Sequence, residues 1–239
     1  MTLPNEEVME LLDERFVLGA RNIERESHVG TSHGYSPSDT AVGTTNGAGG
    51  RNVQILVLAA DRTVVHALPG FWHAEDLLAE LRLALDLHKL WRDDEVSREQ
   101  KLAMFPLLHR SHLRRHGAAA ERRGGWQGFD QAHELMRAQN ETRDTVIREG
   151  DAPPRLKSIP QLVHDRLLAR PFKKLADFGM ESFVDYGRPF YDNNAGLDEG
   201  KNFPRAEQAN QKRERDQEKA ARAAAKQGPT SGEAKAKAF

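Results

Sequence analysis

The segment Asn52–Ala60 (NVQILVLAA) constrains the chain most, because it is almost continuously apolar yet far too short to span a membrane. Its Val, Ile and Leu content reads as a buried central strand. Asp61-Arg62 leaves only a tight turn before Thr63–Leu68 (TVVHAL), a second run rich in β-branched residues. Two strands two residues apart predict an antiparallel hairpin. Pro69-Gly70 ends the second strand, and a helix is predicted over Ala74–Trp91. Leu77, Leu78, Leu81, Leu85, Leu87 and Trp91 give that helix a broad apolar face, and Glu75 and Asp76 suit the positive end of its dipole.

Upstream, Glu6–Arg15 reads as a helix with Asn5 as its N-cap, and Phe16–Ile23 as a strand. Ser27–Arg51 is a long loop in which Ser36-Pro37-Ser38-Asp39 can start one helical turn. Its Gly43–Gly50 stretch is a flexible crossover and not a phosphate loop: the spacing fits neither nucleotide motif, and a strand follows it. Downstream, helices are predicted over Ser97–Met104, Leu107–Arg115, Phe129–Arg148 and Ile159–Ala169, with breaks at Pro106, Gly117 and Gly124-Gly125. Asp177–Asp192 is rich in aromatic residues that should dock it onto the rest of the protein.

The order helix, strand, crossover, hairpin, helix resembles the second half of a thioredoxin fold. Thr2-Leu-Pro-Asn-Glu-Glu-Val8, Leu11-Leu12 and Phe16-Val17 are similar to the stretch that follows the redox motif in thioredoxin-like proteins. Val53–Ala60, Asp61 and Thr63–Leu68 resemble the next strand, turn and strand, and Pro69-Gly-Phe-Trp-His73 the entry to the terminal helix. The resemblance covers residues 1–92. It implies an α/β, thioredoxin-like domain missing its first strand, either a truncated member with that strand and a Cys-x-x-Cys segment upstream of Met1 or a degenerate member without them. A mostly α-helical extension follows over 93–200. Residues 201–239 form a basic Ala/Lys-rich tail, either a single solvated helix or disordered. Two departures stand out. The chain has no cysteine, and the cis-proline that thioredoxins place before the strand is replaced by Gly49-Gly50-Arg51-Asn52.

Composition narrows the function classes. Lys and Arg number 35 against 36 Asp and Glu, for a net charge of -1, which argues against a generally basic nucleic-acid binder. The tail is the exception, with ten basic and five acidic residues from Lys201 to Phe239. No apolar run approaches the ~18 residues of a membrane span. The N-terminus has no basic, apolar signal pattern, so a cytoplasmic location is expected.

His109, His112 and His116 are the most chemically suggestive residues, since their spacing puts three imidazoles on one face of a helix. Arg110, Arg114 and Arg115 lie nearby, so the stretch is read as the polar face of a surface helix, with a histidine metal site as the alternative. The same stretch through Arg122-Arg123, with Trp126, is read as a solvated face and not an anion site, because residues 93–150 hold ten basic and ten acidic groups. His28 and His33 flank the long loop and are available to such a site, while His66 and His73 are read as structural. No residue is assigned as catalytic, cofactor-binding or metal-ligating, and no cofactor is expected. The resulting expectation is a cysteine-free, redox-inactive thioredoxin-like protein with a binding or scaffold role and no enzymatic activity of its own. Its partner would be another protein, not a membrane. The alternatives are histidine-based metal binding and binding of nucleic acid or another anionic partner through the tail.

Overall fold

The computed structural model describes residues 2–33, 44–150 and 152–192. The predicted helical turn at 36–39 and the tail over 201–239 lie outside the described residues. The chain divides into two compact units; the first holds residues 1–31 and 36–191, and only Ser32, His33 and Asp192 of the second are described. The first unit is mixed α/β, with small two-stranded pairings among many helices. No helix among the described residues is long and apolar enough to cross a membrane.

Helix α1 (Glu6–Arg15) begins as its sequence requires: the Asn5 side chain accepts the Val8 N–H at 3.2 Å. Val8 is fully buried, and Leu11, Leu12 and Phe16 pack against the same core. The strand predicted at Phe16–Ile23 is absent. Phe16 instead closes α1 through its N–H to the Leu12 carbonyl, leaving Val17 and Leu18 exposed. Three apolar residues followed by Gly19 and Ala20 are too short a run to hold a strand without a partner. The short strand β1 (Thr31–His33) comes later, in what the sequence presents as loop.

Strands β2 (Gln54–Leu58) and β3 (Val64–Pro69) form the expected antiparallel hairpin, with Ile55 opposite Leu68 and Val57 opposite His66. Arg62 supplies the left-handed turn residue at φ 64, and Asp61 Oδ1 accepts the Thr63 N–H. The burial departs from the prediction of a buried Asn52–Ala60 strand. Every residue of β3 is buried, whereas β2 is half-buried and ends in exposed Leu58. Helices α2 (Ala74–Arg92) and α5 (Ile159–Leu168) both pack on β3, which explains why that strand carries the core.

Asn46, fully buried, starts α2 by accepting the His73 N–H at 2.8 Å and donating to Asp76 at 2.7 Å. Asp76 also receives a bidentate guanidinium from Arg123 at 2.8 and 3.0 Å. Arg123 ends α3 (Arg98–Arg123), a single helix where two were predicted. Pro106 lies inside it. A proline there forgoes one hydrogen bond and costs about 3 kcal/mol in an isolated helix. Burial of Phe105, His109 and His112 on the adjoining turns keeps the helix continuous.

Helix α4 (Gly128–Asn140) ends earlier than predicted, because Glu141 turns extended and the chain enters the short pair β4 (Val146–Ile147) and β5 (Arg155–Leu156). Ser158 caps α5, with Pro160 in the first turn. The aromatic segment docks as expected through a 3₁₀ turn (Leu175–Asp177) and α6 (Met180–Phe183). Phe178, Phe183 and Tyr186 are buried, and the segment ends in the short strand β6 (Phe190–Asp192). Tyr186 donates to the Gly47 carbonyl at 2.8 Å; Gly47 has φ 79, and a Cβ there would meet Ile159 at 2.3 Å. Asp185 anchors the same segment by accepting from Arg51 at 2.5 Å, Arg143 at 2.7 Å and Arg137 at 3.0 Å.

Candidate metal centre

Four imidazoles and one carboxylate meet inside the core. Glu80 comes from α2, His66 from β3, His109 and His112 from α3, and His164 from α5. All five are buried: His66, His109 and His164 have no exposed surface, Glu80 has 2 % and His112 5 %. The placement follows from helix periodicity. Glu80 lies between Leu77 and Leu81 on the apolar stripe of α2, and His164 follows Leu162 and Val163 on the buried side of α5. His109 and His112 stand three residues apart on the face of α3 that also carries Phe105, while Arg110, Arg114 and Arg115 point to solvent.

The Glu80 carboxylate is the hub. His66 Nε2 lies 2.8 Å from Oε2, and His112 Nε2 and His164 Nε2 lie 3.0 and 3.2 Å from Oε1. One donor atom each from Glu80, His112 and His164 falls within 4.8 Å of the other two, a grouping compact enough to hold a metal ion. His109 stands behind this set. Its Nδ1 lies 2.8 Å from His164 Nδ1, and its ring packs 4.4 Å from that of Phe105. His66 Nδ1 and His109 Nε2 are buried with no hydrogen-bond partner among the described residues.

Electrostatics keep the hub ionised. Burial alone would raise the Glu80 carboxyl, but His164, His112 and His66 outweigh it and hold the group well below its usual range. Burial pushes the His66 imidazole down despite its bond to Glu80. His109 falls to about 2 through burial, reinforced by the neighbouring His164 and His66. The arrangement is therefore an anionic carboxylate inside a shell of imidazoles, of which His66 and His109 are held neutral. Neutral imidazole nitrogen and carboxylate oxygen are the ligands that borderline divalent metals take.

The sequence-level candidates divide. His109 and His112 belong to the cluster, contrary to the expected surface face, because α3 turns their side inward. The His116 side chain lies outside the described residues. His66, read as structural, is a member, while His73 sits at the start of α2. His28 bonds to Gln54 at 3.3 Å and takes no part. Glu80 and His164 have no spacing motif in common. Their one signal is a charged or polar group on an otherwise apolar helix face. Comparisons with protein-family models, with curated proteins and with solved structures give no match to this chain.

Proposed function

We propose that this protein binds a divalent transition metal, with zinc the best fit, at a structural centre built from Glu80, His112 and His164 with His66 beside them. The observation that carries the reading is the convergence of one carboxylate and two imidazoles within 4.8 Å in a fully buried position. Tetrahedral zinc with bonds of about 2.0–2.1 Å sets its ligand atoms about 3.3 Å apart. The Glu80–His112 and Glu80–His164 separations of 3.0 and 3.2 Å are close to that spacing. Full burial favours a closed, structural site over a catalytic one, which keeps a position open to substrate. Three neutral imidazoles and one carboxylate would leave the loaded centre with a single positive charge, supported by the ionised state of Glu80.

The test is elemental analysis of protein purified without a polyhistidine tag. Near-stoichiometric metal is expected in the parent, and loss of most of it in His112→Ala, with circular dichroism checking that the helices persist. Metal-free parent protein that also fails to take up zinc on dialysis sinks the proposal.

A second reading rests on the order of α1, hairpin and α2, with α1 packed on α2. That order matches only part of the expected thioredoxin-like domain, because the strand expected after α1 is absent, and the role that goes with it is that of a redox-inactive scaffold. With no cysteine, the chain is expected to show no activity in a disulfide reductase assay. Measurable disulfide reductase activity of this chain overturns this reading.

A further inference from the structure

We propose that His109 is a positioning residue for the metal centre, setting which nitrogen of His164 carries hydrogen; this rests on the reading of Glu80, His112 and His164 as ligands. The geometry is specific. His164 touches two partners with its two ring nitrogens, Glu80 Oε1 from Nε2 at 3.2 Å and His109 Nδ1 from Nδ1 at 2.8 Å. A neutral imidazole carries one hydrogen, so it can donate to only one of them.

With no cation present, the Glu80 carboxylate needs donors. His164 then carries its hydrogen on Nε2 and gives it to Glu80, while its Nδ1 accepts from His109 Nδ1–H. With a cation present, the Nε2 lone pair must face the metal. The His164 hydrogen then sits on Nδ1 and is donated to His109 Nδ1, and His109 carries its own hydrogen on Nε2. With one hydrogen on each ring, loading would exchange the tautomers of the pair. His109 is suited to this because it is fully buried, packed against Phe105 and able to present its Nδ1 as either donor or acceptor. Its Nε2 has no partner among the described residues, so either tautomer is accommodated without breaking another bond.

The experiment is zinc titration of the full chain and of His109→Leu and His109→Asn, with affinity measured by competition with a chelating indicator. Nitrogen-15 spectra of the imidazoles in the zinc-loaded parent provide a second readout. Leucine removes the partner of His164 Nδ1 and should weaken binding about 10–100-fold. Asparagine places a side-chain oxygen near the former Nδ1 and should retain affinity within a few-fold of the parent. The loaded parent should show His164 with hydrogen on Nδ1. Equal affinity in parent and His109→Leu, or a zinc-loaded His164 with hydrogen on Nε2, overturns the role of His109 while leaving the metal centre standing. A parent that takes up no zinc sinks the centre itself, and the role of His109 with it.

Discussion

The Glu80→Ala variant is expected to unfold about 3–5 kcal/mol more easily than the parent protein, the cost of leaving buried imidazole nitrogens unsatisfied beside a new cavity. The carboxylate is the shared partner of three buried imidazoles, at 2.8, 3.0 and 3.2 Å. Removing it leaves their Nε2 atoms facing a space that alanine cannot fill, so unsatisfied polar groups and a cavity act together. Glu80→Gln separates the two effects. It keeps the volume but offers one carbonyl oxygen and an amide donor, so at least one imidazole must change tautomer to remain paired. Its loss should be roughly half that of the alanine variant. Urea unfolding followed by circular dichroism reads both numbers. An alanine variant as stable as the parent would mean that the cluster contributes nothing to the fold.

Acid should destabilise the chelator-treated protein by about 2–3 kcal/mol between pH 7 and pH 5. His66 and His109 are both held below their ordinary value of 6.5 in the folded state, His109 down to about 2. The unfolded chain therefore takes up two protons that the folded chain refuses once the pH falls below about 6.5. Each such proton removes about 1.4 kcal/mol per pH unit. Half-buried His133, also lowered by burial, adds in the same direction.

Asp130 works the other way. Burial raises its carboxyl to about 6, against the hydrogen bonds from Arg188 and Tyr191, so the folded state keeps a proton that the unfolded state gives up. Its contribution is full below 3.8 and is lost as pH rises through about 6, offsetting one of the two histidines near pH 5. Glu80, depressed by its imidazoles, adds stability above its ordinary value of 4.5 that is lost under stronger acid. Unfolding midpoints in urea at pH 7, 6 and 5 test the balance, and a midpoint that stays level or rises on acidification contradicts it.

The hairpin, α1 with its Asn5 cap, α2 and α5 were legible because each rests on local signals: period, cap and turn. Pro106 misled because a local rule met a tertiary one. The proline disfavours a helix there, and the buried turns on either side of it restore one. The same limit hid the centre. His109 and His112 could be paired by spacing, but Glu80 and His164 join them only through the packing of α2, α3 and α5, which no window of sequence contains. Glu80 is the instructive case: on a solvent-facing helix its neighbours would alternate, whereas here Leu77, Leu78, Leu81 and Ala84 surround it in sequence and are all buried.

Glu80 and His164 stand 84 residues apart in the chain. A metal bonded to both would act as a cross-link closing a loop of that length. By chain-entropy reasoning a permanent link of this span withdraws about 4–5 kcal/mol of freedom from the unfolded state. A protein without cysteine has no disulfide with which to make such a tie. Here the tie would be reversible: a chelator, not a reductant, would loosen it.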